Sequence, residues 1–237
     1  MRAVILAGGK GSRLKPYTTV FPKPLVPVGD QPILDLVLQQ LRAGGFTHVT
    51  LALGYLGQLI QAYCGDGSRW GLAIDYSFED SPLGTVGPLA LAAPPEEHFL
   101  TMNGDLLTDL DYGAVLASHI RSGRLATITV FDKKVPIDLG VLELGAQGEL
   151  LDYIEKPTLS YHVSTGIYSF HRRILDFIPR GQRLDFPDLV RSLIQRRESV
   201  GTYTFRGRWL DIGRPEDHAL AMDMLEQDPA VFLPKKS

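Results

Sequence analysis

An apolar run, Ala3 to Ala7, breaks at a loop with three glycines in four positions, Gly8, Gly9 and Gly11, and this junction restricts the fold more than any other stretch. A short run without polar alternation is what a strand buried on both faces requires, and such strands belong to parallel sheets covered by helices. Glycine at its end lets backbone N–H groups approach an anion and permits the positive φ angles of a concave nest of amides. Arg13, Lys15 and Lys23 bring three fixed cations to the same place, on a loop stiffened by Pro16, Pro22 and Pro24. The stretch reads as a phosphate cradle. It is not a Walker loop, because no Gly-Lys-Ser/Thr closes it, and its glycines lack the dinucleotide-binding spacing. A plain glycine-rich surface loop would account for the glycines but not for the cations held among prolines.

The following segments alternate in type. A helix is predicted after Asp30-Gln31-Pro32, with Ile33, Leu34, Leu36, Val37 and Leu41 as its apolar stripe and Gly44-Gly45 as its end. His48–Leu53 reads as a strand, Leu56–Tyr63 as a helix and Leu72–Tyr76 as a strand, which argues for parallel pairing through right-handed crossovers. Thr85 is expected to cap a helix running through Ala92, Phe99–Met102 is a buried strand closed by Asn103-Gly104-Asp105, and Asp111 opens a helix to about Ile120. After Leu125–Phe131 the pattern changes: Val141–Leu144, Leu151–Ile154 and Ile167–Phe170 are strands with few helices between them. This predicts a mixed or antiparallel second half built on a parallel first half. Helices from about Arg172 and Phe186, a strand over Val200–Phe205 and a helix after Pro215 follow. Residues 1–227 are expected to form one domain and 228–237 a loosely attached tail.

A net charge of −3 offers no global attraction for nucleic acid or an anionic membrane, so any phosphate affinity is local. Cys64 stands alone, which excludes an internal disulfide and a thiolate zinc cluster and fits a reducing, cytoplasmic setting. No export signal is read, and no segment approaches the ~20 apolar residues of a membrane span.

Four further segments carry candidate chemistry, and each has an ordinary structural explanation. Asp105 could end its strand through an Asx-turn. Asp211, between Leu210 and Ile212, needs a partner or a cation. Glu155-Lys156 alone is a solvated pair, and Thr165-Gly166 a bulge within a strand. Together with the cradle, in this order, the segments are more informative. Gly8-Gly9-Lys10-Gly11-Ser12-Arg13-Leu14 with Pro16, Thr18 and Pro22-Lys23-Pro24-Leu25 resembles the signature of the sugar-1-phosphate nucleotidyltransferases. Asn103-Gly104-Asp105, Glu155-Lys156-Pro157, Ser164-Thr165-Gly166-Ile167-Tyr168 and Trp209-Leu210-Asp211-Ile212-Gly213 resemble that family's metal, sugar-phosphate, sugar and second metal segments.

The resemblance implies a Rossmann-like three-layer α/β domain: a mixed, mainly parallel central sheet with a smaller antiparallel extension on the sugar side. It implies Mg²⁺ on Asp105 and Asp211, a nucleoside triphosphate and a sugar 1-phosphate as substrates, and release of pyrophosphate. Arg13 and the amides of Gly9, Gly11 and Ser12 would hold the β- and γ-phosphates, Lys23 the reacting α-phosphate, and Lys156 the incoming sugar phosphate. The base would lie against Ala7, Gly8, Gly84 and Thr85; the sugar side would involve Asn103, Gly104, Gly140, Glu155, Thr165 and Gly166. Leu83-Gly84-Thr85-Val86-Gly87-Pro88-Leu89 is similar to the mannose-1-phosphate guanylyltransferase branch, so GTP is the favoured nucleotide, with uridylyl or thymidylyl transfer as the alternative. A non-catalytic nucleotide-sugar-binding regulator is the competing class. Ile137-Asp138-Leu139 departs from the family pattern and leaves the sugar open. Family members often assemble as dimers or tetramers, so a homo-oligomer is a further expectation.

Overall fold

The computed structural model describes residues 1–232. Its first half runs β1 (Arg2–Ala7), the cradle with three short 3-10 turns, a small hairpin of β2 (Pro27–Val28) and β3 (Gln31–Pro32), then α1 (Ile33–Ala43) and β4 (His48–Leu53). It continues through α2 (Gly57–Cys64), β5 (Ala73–Phe78), α3 (Leu89–Ala92), β6 (His98–Asn103), β7 (Leu106–Thr108) and α4 (Tyr112–Ser122). The second half comprises β8 (Ala126–Pro136), β9 (Val141–Leu144), β10 (Leu150–Ile154), β11 (Thr158–His171), α5 (Phe186–Gln195), β12 (Val200–Phe205), β13 (Trp209–Asp211), α6 (Pro215–Gln227) and α7 (Pro229–Phe232).

Seven strands form the main sheet in the order β12-β8-β11-β6-β1-β4-β5. Every neighbouring pair is parallel except the two made by β11, which runs antiparallel to both β6 and β8. The mixed, mainly parallel α/β sheet expected from the sequence is therefore present. Alternation along β1 explains the layers. Ala3, Ile5 and Ala7 pack with Leu34, Leu41, Ile60 and Leu116 from α1, α2 and α4, whereas Val4 faces Leu89, Phe170, Leu189 and Leu193 on the other side. Both faces of the strand are dry, and each fully buried Leu or Ile contributes about 1.5–3 kcal/mol. Cys64 lies in the first of these layers, and burial pushes its thiol up to about 12. Folded protein is expected to resist thiol-specific reagents at pH 8, with one equivalent reacting after denaturation; rapid modification of the native chain would contradict this packing.

Beyond the main sheet, β8 and β11 stay paired out to Pro136 and Thr158, and β9–β10 form a separate antiparallel hairpin. These make the expected antiparallel extension. No helix among the described residues is long and apolar enough to cross a membrane.

Three local expectations are corrected. Asp30 does not cap α1: Gln31–Pro32 is extended in the small hairpin, and Pro32 precedes the helix without a side-chain cap. The helix expected to start at Thr85 is only the four residues of α3, preceded by Pro88. Nor is the start of the tail loose, because Phe232 is fully buried with Leu14, Val28, Leu36 and Leu225 and anchors α7. The rest of the expected tail, 233–237, lies outside the described residues.

Candidate active site

The cradle hangs from the C-terminal end of β1, where ligands of open parallel sheets bind. Tyr55 N donates to Gly8 O at 3.1 Å, and a Cβ on Gly8 would lie 2.6 Å from Glu79 Oε1 and 3.3 Å from Gly54 N. Glycine at position 8 thus lets the turns after β4 and β5 close against the loop. Gly11, at φ 59°, accepts from Leu14 N at 2.9 Å and from the Thr18 hydroxyl at 2.8 Å, which folds the loop into its first 3-10 turn. Gly9 differs: a Cβ there would meet no heavy atom within 4 Å, so protein packing does not require its glycine. Ser12 and Arg13 are exposed beside it.

Two distant segments bring the carboxylates to the same strand end. Gly104 N donates to Leu6 O at 3.1 Å, fixing the turn after β6 to β1. Strand β13 pairs antiparallel with β7, setting Asp211 opposite Leu106, and Ile212 N donates to Asp105 O at 3.1 Å. Lys23 Nζ forms an ion pair with Asp105 Oδ2 and lies 3.8 Å from Asp211 Oδ1. Burial and the neighbouring Asp105 push the Asp211 carboxyl above its ordinary value, while Lys23 and Arg13 pull it back. Arg13 reaches this end too, since a Cβ on Gly213 would lie 3.7 Å from its guanidinium. Asp105 Oδ1 is buried with no hydrogen-bond partner. A hard-oxygen donor left unpaired beside a second, half-exposed carboxylate is a donor set that suits Mg²⁺.

Residues 2–228 match the nucleotidyl transferase family. The chain belongs to that family. A UTP–glucose-1-phosphate uridylyltransferase of Synechocystis is 34% identical over 240 residues, covering 92% of this chain and 61% of its own length. Mannose-1-phosphate guanyltransferase beta-A of Xenopus laevis is 33% identical over 235 residues, covering 96% of this chain and 65% of its own. The chain thus spans a little under two thirds of the length of these relatives. HddC from Yersinia pseudotuberculosis, solved in complex with GMP-PN, shares the fold, with a TM-score of 0.73, 24% identity, and coverage of 94% of this chain and 99% of that one.

On the expected sugar side of this nucleotidyl transferase family member, residues fall into two groups. Gly166, at φ 76°, turns beneath Asn103, whose Nδ2 would lie 2.6 Å from a Cβ at that position. Thr165 is 1% exposed and its hydroxyl donates to Thr129 O at 3.0 Å, while Trp209 Nε1 donates to Thr165 O at 2.9 Å. Thr165 therefore shapes a bulge between β8 and β11, with its side chain turned inward. The second group sits on the hairpin. Tyr153 covers Gly140, where a Cβ would lie 2.3 Å from the phenol oxygen, and that phenol donates to Glu155 Oε2 at 3.0 Å. Glu155 and Lys156 are exposed. Among the described residues no hydrogen bond or ion pair joins this group to Lys23, Asp105 or Asp211.

Gly84 and Thr85 are engaged by another part of the chain. Thr85 N donates to Asp185 Oδ1 at 2.9 Å, and Phe186 N donates to Thr85 Oγ1 at 2.7 Å, so Thr85 caps α5 and not α3. The Thr85 N–H holds the Asp185 carboxyl below the usual carboxylate range. A depressed folded pKa means a contribution present above the unfolded value, ~3.9, and lost as pH falls below it. Asp185→Asn is expected to flatten the acid limb of the stability–pH profile, and an unchanged limb in thermal scans at pH 3–5 would remove this bond from the account. One residue beside the cradle escaped the sequence reading. Glu79 follows the C-terminal end of β5 and accepts from Leu83 N at 2.9 Å through Oε2, leaving Oε1 toward Gly8. An acidic pair in Phe78-Glu79-Asp80-Ser81 carries no local signal of that position.

Proposed function

We propose that the chain transfers a nucleotidyl group from a nucleoside triphosphate, GTP in preference, to a sugar 1-phosphate. The sugar phosphate oxygen attacks the α-phosphorus, the bond to the bridging oxygen breaks, and pyrophosphate leaves. The observation that carries this reading is the Lys23–Asp105–Asp211 cluster at the exit of the glycine cradle, with Asp105 Oδ1 unpaired. Arg13 and the amides around Gly9 hold the leaving pyrophosphate, and Lys23 offsets charge at the α-phosphate, so positioned cations do most of the catalytic work. Asp105 and Asp211 would hold Mg²⁺, which supplies charge neutralisation at the α-phosphate when bound. Lys156 receives the sugar phosphate and Glu155 contacts the sugar, which calls for the hairpin to approach the cradle when both substrates are present. The lone buried Cys64 supports a cytoplasmic setting.

The preference for GTP is supported by Glu79. A carboxylate accepts two adjacent donors, and guanine presents N1–H beside an N2 amino group, whereas uracil and thymine flank one N–H with two carbonyls that a carboxylate repels. Similarity to a uridylyltransferase-named relative keeps UTP as the second reading. The test is pyrophosphate release with Mg²⁺, GTP, UTP, dTTP or CTP and a panel of sugar 1-phosphates. No release with any pair would favour a nucleotide-sugar-binding regulator. Glu79→Gln is expected to lower the GTP to UTP ratio of kcat/KM about 10- to 100-fold. An unchanged ratio would take Glu79 out of base selection.

A further inference from the structure

At the opposite end of β6 from Asp105, the first residue of β6 and the last of β11 are register partners, and both are histidine: His98 faces His171 across the antiparallel ladder. Their rings meet edge to face with centroids 5.0 Å apart. Glu97 precedes His98, and its Oε1 lies 3.5 Å from His171 Nε2. One donor atom from each of Glu97, His98 and His171 falls within 4.8 Å of the other two. Five residue steps along β6 separate His98 from Asn103, roughly 17 Å at strand rise, so this cluster is distinct from the active site.

Three more observations bear on what it takes. His98 Nδ1 is buried with no hydrogen-bond partner, and so is Nε2 of the fully buried His119, whose ring centroid is 5.2 Å from that of His98. Native folds rarely leave such atoms unpaired. Glu96 is held by Arg2 at 2.8 Å, whereas the Glu97 side chain is 78% exposed and free to swing. A cavity of about 480 Å³ opens beside the cluster, lined by Glu97, His171, Arg172 and Arg173 among others.

From this geometry we infer that Glu97, His98 and His171 form a binding site for a first-row divalent metal ion of the Zn²⁺ type. Two imidazoles and one carboxylate are a nitrogen-rich set that suits Zn²⁺ and not Mg²⁺. Donors in a tetrahedral shell with bonds near 2.0 Å lie ~3.3 Å apart, a closure that Glu97 and side-chain rotation supply. His171 Nδ1 accepts from Arg173 N at 3.1 Å, so its Nε2 carries the proton in the free protein. Coordination through Nε2 moves that proton to Nδ1 and passes the exposed Arg173 N–H to water. The fourth position faces the cavity, where the exposed Arg172 and Arg173 favour water or an anion over a second cation.

The test is titration of the intact chain with Co²⁺ and with Zn²⁺ in excess Mg²⁺, which keeps the oxygen-donor site of Asp105 and Asp211 filled. The wild-type chain is expected to bind one Co²⁺ with the strong visible bands of a tetrahedral nitrogen-bound ion, and to gain melting temperature with Zn²⁺. Glu97→Gln changes an exposed side chain, and His171→Asn retains an acceptor for Arg173 N; each is expected to weaken binding at least about 10-fold while Mg²⁺-dependent activity is unchanged. Absence of a bound ion in the wild type, or equal affinity and spectrum in both variants, would overturn the site and leave the cluster as a packed histidine pair beside an exposed acid.

Discussion

Asp105→Asn is expected to lower kcat about 10³-fold while the chain stays folded, the size of effect seen when a principal electrostatic group is removed from a transition state. The amide keeps the shape of the side chain but loses its charge, and one of its two acceptors, facing Lys23 or left unpaired beneath it, becomes an N–H donor. Lys23 keeps Asp211 within 3.8 Å, so its charge is not stranded and stability should fall by no more than about 1–2 kcal/mol. Steady-state pyrophosphate release with a parallel thermal melt checks both parts. Turnover within a few-fold of wild type would end the assignment of Asp105 to the reacting centre. Asp211→Asn separates the roles further: its half-exposed carboxylate is expected to matter most at low Mg²⁺, so higher Mg²⁺ should restore part of the lost rate.

Gly84→Ala is expected to destabilise the fold by about 3 kcal/mol, lowering the melting temperature by roughly 10 °C. The residue sits at φ 82°, and a Cβ there would lie 2.6 Å from Leu184 O and 3.0 Å from Leu184 C. The obstacle is backbone, and that backbone also accepts from Val86 N and Gly87 N at 3.1 and 3.2 Å. A methyl group therefore costs both the left-handed conformation and the ladder joining this loop to the start of α5. Gly9→Ala is the matched control, because no heavy atom lies within 4 Å of its Cβ position. It should melt like the wild type and still raise KM for the nucleotide if phosphate packs there. A Gly84→Ala melt within 2 °C of wild type would show that the loop yields to the methyl group.

Much of this was readable locally. His48–Leu53, Val200–Phe205 and the start of α5 at Phe186 fall where apolar runs and capping residues place them, and Asp111 accepts from Ala114 N at 2.9 Å at the start of α4 as expected. Each of these signals is held within one segment. Other features depend on partners far along the chain. Thr85 looked like a cap for the helix that follows it, yet its hydroxyl serves Phe186, 101 residues on. Strands β7 and β13, three residues each, are too short to show a period and exist because they pair with each other. Phe232 lies in a short apolar run whose partner the sequence does not name, and it is buried because α6 returns it to the β2–β3 region.

The cradle shows the division most clearly. Its glycines, its cations and the two-faced strand before it are properties of residue type and spacing, so the sequence alone determined that a glycine-rich, cationic loop stands at the end of a buried parallel strand. Only the tertiary structure decided that Lys23 meets Asp105 and Asp211, that Arg13 reaches the turn after β13, that Glu79 backs Gly8 and that Thr165 turns inward. Periodicity records which face of a segment leaves water. Which other segment covers that face depends on contacts between distant parts of the chain, and these form only when the sheet assembles.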